Sequence, residues 1–279
     1  MRPTTRWRAL GPVWRFGIRF QALHGTTIAR EQGFNAVLGL VAGTHALGLW
    51  SFVSRLLLLP TMFLEALWRV SYPAVSAREK AGEDVAIAVT RASELCALVL
   101  AWLIVPILVL APSAVPLLFG SRWQEAVPAL FAAAASFLVL GPVSTAGLAA
   151  LMLRDLAGTV AKAVIASGVL SLVIVFALGG VSLVAAGCAV AAGALLEALL
   201  LEHAIRRTFG VSALLPTIAP TMCVLVATAT GVGIGQVLGG NAVSGLIGLA
   251  AGMLILGTFT MLQMAGTVRA GWALARGAA

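Results

Sequence analysis

Five ionisable side chains stand in apolar sequence that ordinarily excludes them. They are Arg30 and Glu31 in TTIAREQGFNAVLGL, and Arg55, Glu65 and Arg69 in GLWSFVSRLLLLPTMFLEALWRV. On insertion scales a charge at the centre of a bilayer costs about 2.5–3.5 kcal/mol or more, so each needs a partner, a wet cavity or a function. Arg30 has the chemistry to hold an anionic headgroup, because a guanidinium makes two parallel hydrogen bonds to one phosphate. Arg30 and Glu31 are adjacent and point about 100° apart on a helix, so each is expected to meet something on another helix or in a cavity. Gln32 and Asn35 add polar groups to the same segment. The alternative is that this segment is not a full span and its charges are merely wet.

On a single continuous helix, Arg55, Glu65 and Arg69 fall within an arc of about 80°. Glu65 and Arg69 are spaced i, i+4 with the acid first, the favourable order for an ion pair. Pro60 lies between them and Arg55, and should bend the helix because it lacks an N–H and crowds the preceding turn. Such a stripe is expected to face a cavity or a protein interior. In the competing reading, Arg69 snorkels to the membrane surface and Glu65 only neutralises it.

Other reactive residue types are scattered. Glu197 sits in ALLEALLLEH, with Glu202 and His203 at the end of that run, and reads first as a solvated or hydrogen-bonded group. His24, His45 and His203 lack metal-ligand spacing, and Cys96, Cys188 and Cys223 are far apart and read as small buried packing residues. Gly231, Gly235 and Gly239, then Gly248 and Gly252, recur every four residues, a pattern for close helix packing and not for a nucleotide loop. No nucleophile triad, P-loop or paired catalytic carboxylates can be recognised, so no enzyme activity, cofactor or metal is expected.

The elements that position these residues are membrane helices. Of 279 residues, 61% are hydrophobic and only 10% charged, against about 25% charged in soluble domains. From Thr208 to Val268 there is no Asp, Glu, Lys or Arg. The apolar runs are too long for barrel strands. The sequence therefore predicts an all-α, polytopic membrane protein of about eight spans, near 20–43, 47–74, 94–118, 127–152, 158–179, 181–202, 213–238 and 242–266. The longest connection falls at about Ser76 to Ser93, and tight turns fall at Gly179–Ser182 and Gly239–Ala242. With both termini cytoplasmic, most of the basic residues behind the net charge of +8 lie on the inner side, whereas the outer loops hold only Arg122. The charge excess thus reads as topology, not as nucleic-acid binding. Residues 1–19, rich in Arg with Trp7, Trp14 and Phe16, suit an amphipathic segment at the inner leaflet.

One stretch, FGIRFQALHGTTIAREQGFNAVLGLVAGTHALGLWSFVSRLLLLP, resembles the opening of the second half of Wzx-type flippases of polysaccharide precursors. These belong to the multidrug/oligosaccharidyl-lipid/polysaccharide exporter superfamily. The matching features are Phe16-Gly17, the polar helix from Arg30 to Asn35, Gly43 with Ala46-Leu47-Gly48, Arg55-Leu56 and Pro60. Leu49 and Trp50 depart from the usual aromatic pair. Tyr72-Pro73-Ala74-Val75-Ser76 and LLFGSRWQEAVPALFAAAA continue the likeness, which covers roughly residues 12–160. It implies one helical lobe over 20–202, an additional hairpin over 213–266, and translocation of an undecaprenyl-diphosphate-linked oligosaccharide across a bacterial cytoplasmic membrane. It further implies Arg30, Arg55 and Arg69 as substrate contacts and Glu31 and Glu65 as ion or proton partners. Because such carriers have two lobes, the chain is expected to be part of a longer flippase, or to be completed by a second chain or a second copy. A membrane scaffold in the polysaccharide assembly machinery is the alternative.

Overall fold

The computed structural model describes the backbone of residues 11–82 and 84–277, and side chains over 25–82 and 84–263. The basic segment 1–19 and His24 lie outside the residues whose side chains are described. Helix α1 runs from Gly11 to Leu56 with one break, at Gly43 (φ 84°, ψ 176°), a conformation open essentially to glycine alone. On a straight helix Phe34 and Trp50 would stand about 24 Å apart along the axis. Their ring centroids are 5.1 Å apart. The chain therefore doubles back at Gly43, and α1 is a hairpin whose two limbs correspond to the first expected span and the start of the second.

Helix α2 (Leu58–Lys80) extends the returning limb. Leu57 N–H donates to the Val53 carbonyl and Thr61 N–H to the Leu57 carbonyl. Leu57 itself departs from helical geometry (φ −87°, ψ 6°), three residues before Pro60, which has no N–H to offer the Leu56 carbonyl, so the helix is disturbed where Pro60 predicts. The long charged connection expected over Ser76 to Ser93 is instead mostly helical. α2 runs on to Lys80, and α3 (Val85–Phe119) starts at Asp84, whose carboxylate accepts from Ala86 N–H at 2.8 Å. Polar composition suggested a loop, but a side-chain cap outweighed it.

After a short turn at Ser121–Trp123, α4 (Ala126–Leu140) and α5 (Leu148–Leu153) form one span bent by 48°. Its break holds Gly141, Pro142 and a π-helical turn over Val143–Gly147. α6 (Ala157–Leu178) and α7 (Leu183–Phe209) follow, then α8 (Ile218–Val237) and α9 (Ala242–Gly277). The turns at Gly179–Ser182 and Gly239–Ala242 fall where expected, with Ser182 and Asn241 accepting from backbone N–H groups of the helices that follow. By length and composition, six described helices can cross a membrane, seven with the bent pair. Dividing α1 at Gly43 and joining its second limb to α2 gives eight helical segments in the expected order.

Leu38, Val53, Leu100, Ile104, Leu130 and Leu256 are fully buried in a large core, while Val89, Val143, Leu151, Val160, Leu201 and Ile205 fill a second. Leu40, Phe176, Val237 and Leu262 stay 70% exposed or more, consistent with a lipid-facing surface. The protein is thus a multi-pass, all-helical membrane protein. α8 and α9 touch through glycines: a Cβ on Gly248 would lie 2.1 Å from the Gly231 carbonyl oxygen, and one on Gly252 2.9 Å from that of Ala227. The same pair leans on α3, where a Cβ on Gly231 would meet Val109 at 2.8 Å. Gly231, Gly235, Gly248 and Gly252 form a packing seam, as their spacing indicates, whereas Gly239 lies beyond α8 in the turn at φ 110° and packs against nothing among the described residues. Cys96 and Cys223 are buried as expected, but Cys188 is exposed, on the outer face of α7.

Candidate functional site

The hairpin of α1 encloses a cavity of about 520 Å³ together with α2, α4, α6 and α7. Its volume lies in the ordinary range for small-molecule sites, about 300–1,000 Å³. The walls are mostly apolar, with Phe34, Trp50, Leu64 and Phe137 among them. The hydroxyls of Ser54, Thr61, Ser136, Ser144 and Ser171 also line it, each donating to a backbone carbonyl of its own helix or a neighbour. Four charged or amide side chains reach the wall: Arg30, Glu31, Asn35 and Glu65.

Arg30 is the most elaborately held of these. Its Nη1 lies 2.7 Å from Glu197 Oε2 on α7 and donates to Ser167 Oγ on α6 at 3.3 Å. Ser167 Oγ in turn donates to the same Glu197 oxygen at 2.7 Å, closing a triangle. The arginine stem rests on Gly168, where an added Cβ would approach Arg30 Cγ to 3.1 Å and Cδ to 3.3 Å. Gly193 brings α7 against α6 beside this point: a Cβ there would fall 2.0 Å from Ser171 Oγ and 2.8 Å from the Ser167 carbonyl oxygen. Three helices thus form a socket for one guanidinium. The Glu197 side chain is 8% exposed and that of Arg30 28%. Arg30 faces the cavity; Glu197 and Ser167 do not line it.

The sequence-predicted residues divide. Arg30, Glu31 and Glu65 meet at one cavity although they come from opposite ends of a 36-residue stretch. Arg55 and Arg69 are exposed and lie off the lining. The helical-wheel stripe assumed one continuous helix, and the interruption at Leu57 means that the rotation from Arg55 to Glu65 does not follow ideal periodicity. Glu65 and Arg69 are not among the ion pairs of the described residues, despite their favourable spacing. Arg30 has the interhelical partner that its isolation demanded.

Glu197, Ser167 and Gly168 were not singled out for this role. A signal for Glu197 existed: a lone acid inside an apolar helix requires a cation, and Arg30 was the unpaired cation inside another. Ser167 and Gly168 carried none. Glu202, read with Glu197, does something different. It is buried and accepts from Arg206 Nε, Ser212 Oγ and the backbone N–H groups of Ala213 and Leu214. It ties down the connection between α7 and α8. Just past the reversal at Gly43, His45 Nε2 lies 3.4 Å from Glu125 Oε2, both exposed.

Residues 1–128 match a family model described as polysaccharide biosynthesis protein. The match covers α1, α2 and α3, hence Arg30, Glu31, Asn35 and Glu65, and ends just inside α4, before Ser167 and Glu197. It links this part of the chain to polysaccharide biosynthesis. No curated protein and no solved structure matches the chain.

Proposed function

We propose that the chain translocates a lipid-linked oligosaccharide across a bacterial cytoplasmic membrane, with both termini on the cytoplasmic side and no covalent chemistry of its own. The observation that carries this reading is the Arg30 socket, which sets a guanidinium at the wall of a membrane-embedded cavity. A diphosphate linking sugar to polyprenol suits that cation, since a guanidinium binds phosphate through two aligned donors. Around it, Glu31, Asn35 and Glu65 offer acceptors for sugar hydroxyls, and Phe34 and Trp50 offer an aromatic, apolar wall. The family match over residues 1–128 supports a place in polysaccharide biosynthesis. Alternating access needs two bodies rocking about a site, so the second body is supplied by the rest of a longer chain, by a second chain or by a second copy.

The test is a flipping assay in proteoliposomes with a fluorescent polyprenyl-diphosphate sugar and Arg30→Ala at equal protein content. The reading expects loss of most of the translocation. Wild-type rates in Arg30→Ala, or no translocation by the wild-type chain with any candidate partner, would remove it in favour of a scaffold role.

A further inference from the structure

We infer that Glu197 and Ser167 are positioning residues that hold Arg30 by one nitrogen and leave the rest of its guanidinium to a single oxyanion entering the cavity. This rests on the proposed reading of Arg30 as the anion contact, and adds what makes that contact directional. Every contact recorded for the Arg30 head group runs through Nη1. Its Nη2 and Nε donors have no partner among the described residues. Those two atoms form one edge of the guanidinium fork, the edge that matches two oxygens of a phosphate or diphosphate. Arg30 lines the cavity, whereas Glu197 and Ser167 stand outside the lining, so the carboxylate supports the cation from behind and does not occupy its free edge.

Two further features fit a support and not a plug. The Ser167 hydroxyl bonds both partners, so the carboxylate oxygen is itself held in place. Gly168 leaves room for the arginine stem and no more, which restricts where the head group can swing. A long side chain otherwise loses rotamer freedom on binding. Fixing Arg30 beforehand removes that loss from the binding step.

The experiment is titration of inorganic pyrophosphate into the purified full chain in detergent, with affinity as the readout. Arg30→Ala is expected to abolish measurable binding. Glu197→Ala should weaken binding about tenfold, the lower end of what removing an orienting partner costs in metal sites. Glu197→Asp retains the charge but is one carbon shorter, and should lose about as much. Glu197→Gln retains an acceptor oxygen at the right distance and should recover affinity to within about threefold. Wild-type or tighter binding by both Glu197→Ala and Glu197→Asp, with Arg30→Ala still inactive, overturns the positioning role alone. Wild-type binding by Arg30→Ala overturns both that role and the reading beneath it. If Glu197→Ala cannot be purified, the Asp and Gln variants decide the question by the same criteria.

Discussion

Around the cavity, helices are interrupted: α1 turns back at Gly43, the backbone leaves helical geometry at Leu57, and the α4–α5 pair bends by 48° at Gly141 and Pro142. Charges collect there, on Arg30, Glu31, Glu65 and Glu197. The α8–α9 pair is uninterrupted over its described length and touches through glycine and backbone, with no Asp, Glu, Lys or Arg between Thr208 and Val268. The two regions share an apolar composition but differ in what occupies the helix contacts. In the hairpin, close approach gives dispersion contacts that lipid would otherwise supply, the general basis of association between membrane helices. At the cavity, the contact between α1, α6 and α7 instead contains an ion pair with its own hydrogen-bonding hydroxyl. Both regions use glycine for close approach, and the cavity region adds an ion pair and hydroxyl contacts between its helices.

The comparison can be broken most directly at Arg30. Arg30→Ala leaves Glu197 buried without its cation, and losing one partner of a buried pair typically costs about 3–5 kcal/mol. We expect a large fall in thermal midpoint in detergent together with loss of translocation. The double change Arg30→Ala with Glu197→Ala should recover much of the midpoint and none of the translocation. If it recovers both, the socket is purely structural.

On the hairpin the outcomes should invert. Gly248→Val forces a side chain into the Gly231 carbonyl, and overpacking costs about 1–3 kcal/mol or more where backbone must move. The expected result is a lower midpoint and poorer yield, with the rate per folded molecule unchanged. A specific loss of rate at normal stability would place α8 and α9 in the transport step.

Arg55→Ala and Arg69→Ala sharpen the border of the cavity region. Both side chains are exposed and off the lining, and exposed charges generally contribute within about 0.5 kcal/mol. We expect less than about a twofold change in rate and no change in midpoint. A loss equal to that of Arg30→Ala would restore the three-arginine stripe that ideal helical geometry suggests. The smallest effect is expected at Cys188→Ser, on the exposed face of α7, where neither midpoint nor rate should move.

Hydrophobic runs and turn residues announced the fold, because a backbone in lipid must satisfy its own hydrogen bonds and so follows the length and polarity of each run closely. The order of the helical segments, the glycine turns, the interruption near Pro60 and the glycine seam between α8 and α9 were legible on those grounds. Arg30, Glu31 and Glu65 were legible as misplaced charges. Their common cavity was not, since it depends on the reversal at Gly43. Nor was the separation of Arg55 and Arg69 from it, since the non-helical backbone at Leu57 upsets a wheel projected over fourteen positions.

What the sequence determined by itself is a polytopic helical bundle with charges that must be sheltered, a consequence of transfer energies that act residue by residue. Only the tertiary structure decided which shelter each charge receives. Glu197 lies 167 positions from Arg30, and Ser167 lies 137. Pairing over such separations is set by how helices cross and by where Gly168 and Gly193 let them approach, and no local pattern encodes a distance between helices.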